Sequence, residues 1–188
     1  MGHVYCAPPP PKAPEPPATP TRTGTMPYDV VDATVDTTEP QRESLDEYFT
    51  RMTELVASRS TCTRRKVGAV LVVNKHIIST GYNGAPRGVT HCTPETCIRA
   101  RLKIPSGTRQ ELCIGCHAEQ NAIAQAASIG TPTEGATLYC THKPCVYCAK
   151  LIINAGIKDV IYHDGYGGEE NDLVDKVFSE AGISVRRI

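Results

Sequence analysis

The sequence predicts an α/β protein built on a mixed five-stranded sheet with helices on both faces. Two patterns carry that expectation. The first is a pair of β-branched runs, VGAVLVV (67–73) and HIISTGY (76–82), joined only by Asn74 and Lys75. Two such runs across a two-residue turn read as an antiparallel hairpin. The second is a regular alternation from His117 onward: a helix over about 117–128, strand ATLYC (136–140), a helix over about 145–155, strand IKDVIYH (157–163), a helix over about 170–181 and strand ISVRRI (183–188). A helical crossover within one sheet makes its flanking strands parallel, so the last three strands are expected to run parallel.

Order is expected to begin at SLDEYFTRMTELVAS. Ser44 and Glu47 form an S-x-x-E capping box, and Leu45, Phe49, Met52 and Val56 fall on one helical stripe that should run to about Ser58. The unbroken apolar character of 67–73 suggests a strand buried on both faces. Residues 1–43 hold ten of the fifteen prolines and show no apolar periodicity that closes a core. They read as a disordered or polyproline-like tail, a passive extension rather than a ligand for an aromatic groove. That leaves 44–188 as one domain, with a cysteine-rich insert at about 84–116.

Lys plus Arg and Asp plus Glu number 20 each. No global field recruits nucleic acid or an anionic membrane, and a small anionic ligand fits better than a polyanion. No apolar run reaches the roughly 18–20 residues of a spanning helix, and prolines occupy the region where a signal peptide needs an apolar stretch. The chain therefore reads as soluble and cytoplasmic. Nine cysteines, an odd number, suit a disulfide framework poorly in a reducing compartment, which points to metal ligation or catalysis.

The chemistry concentrates in GCHAEQNAI (115–123) and CTHKPCVYCAK (140–150). His117 and Glu119 open one predicted helix; Cys145 and Cys148 open the next and stand one turn apart on one face. Helix N-termini favour thiolate over thiol, so the two helix starts bring one imidazole and two thiolates to one point. Three such ligands leave a tetrahedral zinc one open position for water, as in a catalytic rather than a closed structural site. Glu119 is then more useful as a proton shuttle beside that water than as a fourth anionic ligand. H-x-E…P-C-x-x-C is the signature of zinc deaminases. The competing readings are a structural zinc knuckle or a redox CxxC.

With STCTRRKVGAVLV (60–72), IISTGYNGAPRGVTHC (77–92), HAEQNAI and THKPCVYCAKLIINAGIKDVIY in that order, residues 44–188 resemble the deoxycytidylate (dCMP) deaminase family of the zinc-dependent cytidine deaminase superfamily. The resemblance implies the three-layer α/β/α cytidine-deaminase-like fold and hydrolytic deamination of a cytosine nucleotide, dCMP to dUMP, the precursor of thymidylate. His117, Cys145 and Cys148 would hold zinc, while Glu119 would carry a proton to N3 of cytosine and then to the departing ammonia. Asn83 matches a sugar-contacting asparagine; the alternative is a plain turn residue, since Asn-Gly is a common turn signal. Arg64, one of three consecutive cations before the first strand, matches a position often basic in the family and suits the nucleotide's phosphate. Tyr166 matches a tyrosine near the mouth of the site.

Cys62, Cys92, Cys97 and Cys113 bracket the insert. A long loop inside a domain is rare unless something clamps it, and a second, closed structural zinc would do so; similar members of the family carry one in this region. The alternatives are Cys116 or His91 as substitute ligands, or four buried apolar thiols. Cys6 and Cys140 have no such role. The family pattern also implies a homo-oligomer and dCTP and dTTP as effectors, although Ser128 stands where some members carry an arginine. Other expectations consistent with the motifs are deamination of dCTP, CMP or tRNA adenosine, or a non-catalytic zinc-binding interaction module.

Overall fold

The computed structural model describes residues 42–165 and 170–188, the side chains of Glu170 and Asn171 excepted. The proline-rich stretch and Tyr166 lie outside these residues. The elements run α1 (Leu45–Ala57), β1 (Gly68–Val73), β2 (His76–Tyr82), α2 (Ile98–Arg101), a 3-10 turn (Gln110–Leu112), α3 (Ala118–Ser128), β3 (Thr137–His142), α4 (Val146–Asn154), β4 (Asp159–Asp164), α5 (Glu170–Glu180) and β5 (Ser184–Arg187). They form one sheet in the order β2-β1-β3-β4-β5. β1 is antiparallel to both β2 and β3, whereas β3, β4 and β5 are parallel. The expected mixed sheet is thus observed.

Local chemistry explains the boundaries. The Ser44 hydroxyl accepts from the Glu47 N–H at 3.2 Å, and the Glu47 carboxylate accepts from the Ser44 N–H at 2.8 Å, which closes the capping box and starts α1. Asn74 and Lys75 both take left-handed backbone angles (φ 50° and 65°), the turn whose twist matches a tight hairpin. A register shift between Leu71 and Val72 leaves Ile78 of β2 as an extra residue in the ladder, a bulge.

Alternation along the strands divides the core. Ala69, Leu71, Leu138, Cys140 and Val160 face α3, α4 and α5 in one apolar cluster. Val70, Val72, Tyr139 and Ile161 face Phe49, Met52 and Val56 of α1 in the other. One helix therefore covers one face of the sheet and three helices cover the other. The Tyr139 hydroxyl donates to Asp46 at 2.8 Å, and Asp46 also pairs with Arg186 at 2.9 Å, so α1 is tied to β3 and β5.

The insert between β2 and α3 is closed at its base by an isolated bridge: Gly84 N–H donates to the Cys116 carbonyl at 3.2 Å and Cys116 N–H to the Gly84 carbonyl at 2.9 Å. That backbone pair sets the end of β2 beside the start of α3. Close approach does the same further along, because a Cβ at Gly81 would lie 2.2 Å from the Ala118 carbonyl oxygen and 2.3 Å from the Ala122 nitrogen. Gly81 lets α3 lie directly on β2. Gly81→Ala is therefore expected to cost about 1–3 kcal/mol or more by overpacking backbone against backbone. Chemical denaturation checks this; an unchanged midpoint would show that α3 shifts freely on the sheet.

Candidate active site

α3 and α4 start at the same end of the sheet, and their first residues make the site. His117 is the N-cap of α3 and Cys145 the N-cap of α4, with Cys148 in the first turn of α4. Both helices begin one residue later than the sequence pattern suggests. The His117 backbone N–H donates to Oε1 of Gln120 at 2.9 Å, which fixes the helix entry. β3 and β4 run parallel and end here, in the usual place for a site in such a sheet.

The ligand atoms of His117, Cys145 and Cys148 all lie within 4.8 Å of one another. Nδ1 of His117 is 3.4 Å from Sγ of Cys145 and 3.3 Å from Sγ of Cys148. A tetrahedral zinc with Zn–S of about 2.3 Å and Zn–N of about 2.0 Å separates its sulfur and nitrogen ligands by about 3.5 Å. The residues fit the metal, and the site is capable of binding one zinc ion.

The electrostatics are those of thiols pressed against an imidazole. A hydrogen bond from Cys148, aided by His117, holds the Cys145 thiol down to about 4. Cys148 moves up, chiefly because it supplies that bond, and further because it is buried. His117 is raised by its hydrogen bond to Cys145. Glu119 is 4% exposed, and burial pushes its carboxyl up, opposed in part by the positive charge of His117. A buried carboxyl with a raised proton affinity beside a metal-ligand trio is poised to hold and release a proton.

His117, Glu119 and Cys145 border a cavity of about 480 Å³, a volume suited to a small molecule. Asn83 and Arg64 border it too. The Asn83 side chain is largely committed: Oδ1 accepts from Val67 N–H at 2.8 Å and from the Ser60 hydroxyl at 2.6 Å, while Nδ2 donates to the Arg65 carbonyl at 2.9 Å. Asn83 thus pins the segment leading into β1, and one N–H of its amide is left for a ligand. Sequence reasoning missed Arg99, Gln110 and Lys143, which also line the cavity. Lys143 stands directly before Pro144-Cys145 and is buried against Asp175, 2.6 Å away; a charge inside the metal motif was the signal. Arg99 and Gln110 lie in the insert, where no periodicity marked them.

The expected second zinc rests on four other cysteines. Cys62, Cys92, Cys97 and Cys113 do border the same cavity, and burial together with Cys97, Cys113 and Cys62 raises the Cys92 thiol. Yet among the described residues only His117, Cys145 and Cys148 bring three ligand atoms within coordination reach of one another. Two helix starts on one sheet hold that trio. Cys62 precedes β1, whereas Cys92, Cys97 and Cys113 lie in the insert, whose base the Gly84–Cys116 bridge closes.

Residues 43–164 match the family model described as the cytidine and deoxycytidylate deaminase zinc-binding region. The chain belongs to the deoxycytidylate deaminase family. Its relatives include ComE operon protein 2 of Bacillus subtilis, 40% identical over 148 residues that make up 79% of this chain and 73% of that protein. The deoxycytidylate deaminase of Schizosaccharomyces pombe is 38% identical over 78% of this chain, which spans 44% of the yeast protein. The dCMP deaminase of cyanophage S-TIM5, solved in complex with dCMP and dUMP, is 32% identical; the match covers 78% of this chain and 98% of that one with a TM-score of 0.63. Among the described residues, no helix is long and apolar enough to cross a membrane.

The shifted thiols give a prediction. Zinc ligands bind deprotonated, and Cys148 holds its proton at neutral pH, so zinc added to chelator-stripped protein should release about one proton at pH 7.5. A raised His117 adds to this as the pH falls through its pKa, so zinc affinity should weaken on mild acidification. Calorimetry in buffers of different ionisation enthalpy measures the release. Uptake without proton release would mean that Cys148 is not a ligand.

Proposed function

We propose that this protein is a zinc-dependent hydrolase that converts dCMP to dUMP. The observation that carries the reading is the buried carboxyl of Glu119 beside the His117, Cys145 and Cys148 trio, in a cavity whose other charged groups are cations. Relatives named deoxycytidylate deaminase and the S-TIM5 enzyme's complex with dCMP and dUMP support the choice of nucleotide. The even balance of charge on the chain disfavours an RNA substrate.

His117, Cys145 and Cys148 would hold the metal, which when bound makes a water acidic enough to serve as the nucleophile near neutral pH. Glu119 would take a proton from the attacking water and deliver it to N3 of cytosine. The water oxygen bonds to C4, Glu119 takes the second proton from the hydroxyl so formed and hands it to N4, and the C4–N4 bond breaks to release ammonia. Arg64 meets the phosphate and the remaining N–H of Asn83 meets the sugar, while a role for Tyr166 rests on the resemblance alone. Self-association, regulation by dCTP and dTTP, a cytoplasmic setting and the division into a tail (1–43) and a catalytic domain (44–188) rest on the resemblance and composition alone.

Ammonia release from dCMP, CMP, dCTP and deoxycytidine by zinc-loaded protein tests the assignment. Turnover should be greatest on dCMP, and a fully loaded protein inert on all four would make it a binding module. Glu119→Gln should keep fold and zinc while kcat falls by about 10²–10⁴, the usual share of a proton-transferring group. Loss of zinc from that variant would instead make Glu119 a ligand.

A further inference from the structure

The cavity carries four cations, Arg64, Arg65, Arg99 and Lys143, against one carboxylate, Glu119, in a chain of zero net charge. Lys143 is held by Asp175, and Arg65 has interactions of its own. Arg64 and Arg99 differ from these. Nη2 of Arg64 donates to the Ile104 carbonyl at 2.5 Å, and Nη2 of Arg99 donates to the next carbonyl, Pro105, at 3.4 Å. Consecutive carbonyls of the insert thus pin two guanidinium groups from distant parts of the chain.

Each of the two keeps an enclosed nitrogen without a hydrogen-bond partner: Nη1 of Arg64 and Nε of Arg99. Neither has an ion-pair partner among the described residues. Glu111, which feels the charge of Arg99, is exposed and already paired with Arg109. A third enclosed atom without a partner, Oε1 of Gln110, borders the same cavity, its own amide nitrogen donating to the Gly107 carbonyl at 3.0 Å. Buried charged donors without acceptors are costly, and two cations pinned by neighbouring carbonyls add repulsion. An anion with several acceptor oxygens relieves both. The charge of Arg99 also reaches His117, so the insert lies within electrostatic range of the reacting end of the cavity.

We propose that Arg99 closes with Arg64 into a two-arginine clamp on the phosphate monoester of the substrate, so that the cysteine-rich insert selects nucleotide over nucleoside. The inference rests on the nucleotide deaminase reading above and adds a specificity residue to it. Gln110 supplies the acceptor for a hydroxyl of the same ligand.

The test uses the full chain loaded with zinc, as wild type, Arg99→Gln and Arg99→Lys. In Arg99→Gln the ratio of kcat/KM on dCMP to that on deoxycytidine should fall about 10–100-fold, the worth of a hydrogen bond to a charged group, mainly through KM for dCMP. Arg99→Lys should recover part of it. Calorimetric titration with inorganic phosphate, which needs no turnover, should show binding to wild type that weakens in Arg99→Gln. Equal losses on dCMP and deoxycytidine, or unchanged phosphate binding with only a lower melting temperature, would overturn the clamp and make Arg99 a packing residue of the insert. A wild type that binds phosphate through Arg99 but deaminates no cytosine nucleotide would defeat the deaminase reading and leave the clamp standing.

Discussion

The convergence of two helix starts is the constraint on which the rest of this structure depends. One imidazole and two sulfur atoms meet within a few ångströms only if α3 and α4 begin at one end of the sheet. That requires β3 to sit between β1 and β4, with α3 pressed onto β2 through the gap at Gly81. The apolar cluster under the three helices, from Ala69 and Leu71 to Ile152 and Phe178, fixes their relative height. Packing in the core thus becomes a metal geometry at the surface of the sheet.

The same arrangement sets the electrostatics. Burial beside the trio raises the proton affinity of Glu119, and the thiol pair divides into a readily ionised Cys145 and a reluctant Cys148. Around this centre the cavity wall is cationic, with Lys143 and the arginines drawn partly from the strand ends and partly from the insert. The base of the insert is closed by the Gly84–Cys116 bridge, so the insert can carry irregular backbone without detaching from the site.

Much of this was legible in the sequence because the signals are local. β-branched runs marked β1 and β2, the Ser44–Glu47 box marked α1, and the H-A-E and P-C-V-Y-C spacings placed His117, Glu119, Cys145 and Cys148 on two helix starts. What stayed hidden depends on tertiary contact. Nothing in the order of residues shows that Arg64 and Arg99 share adjacent carbonyls, that Asn83 spends its side chain on Val67, Ser60 and Arg65, or that Lys143 is neutralised by Asp175. Thiol count singled out Cys62, Cys92, Cys97 and Cys113, which are near one another, but among the described residues only the two helix starts bring three ligand atoms within coordination reach.

The central claim is that His117, Cys145 and Cys148 form one open metal site that the nucleotide enters. Cobalt(II) substitution with visible spectroscopy tests it most directly. A tetrahedral site with two thiolates predicts strong thiolate-to-cobalt charge transfer that is diminished by Cys145→Ser or Cys148→Ser, with ligand-field bands that shift when dUMP is added. Spectra indifferent to both cysteine variants, or to saturating dUMP, would contradict the account.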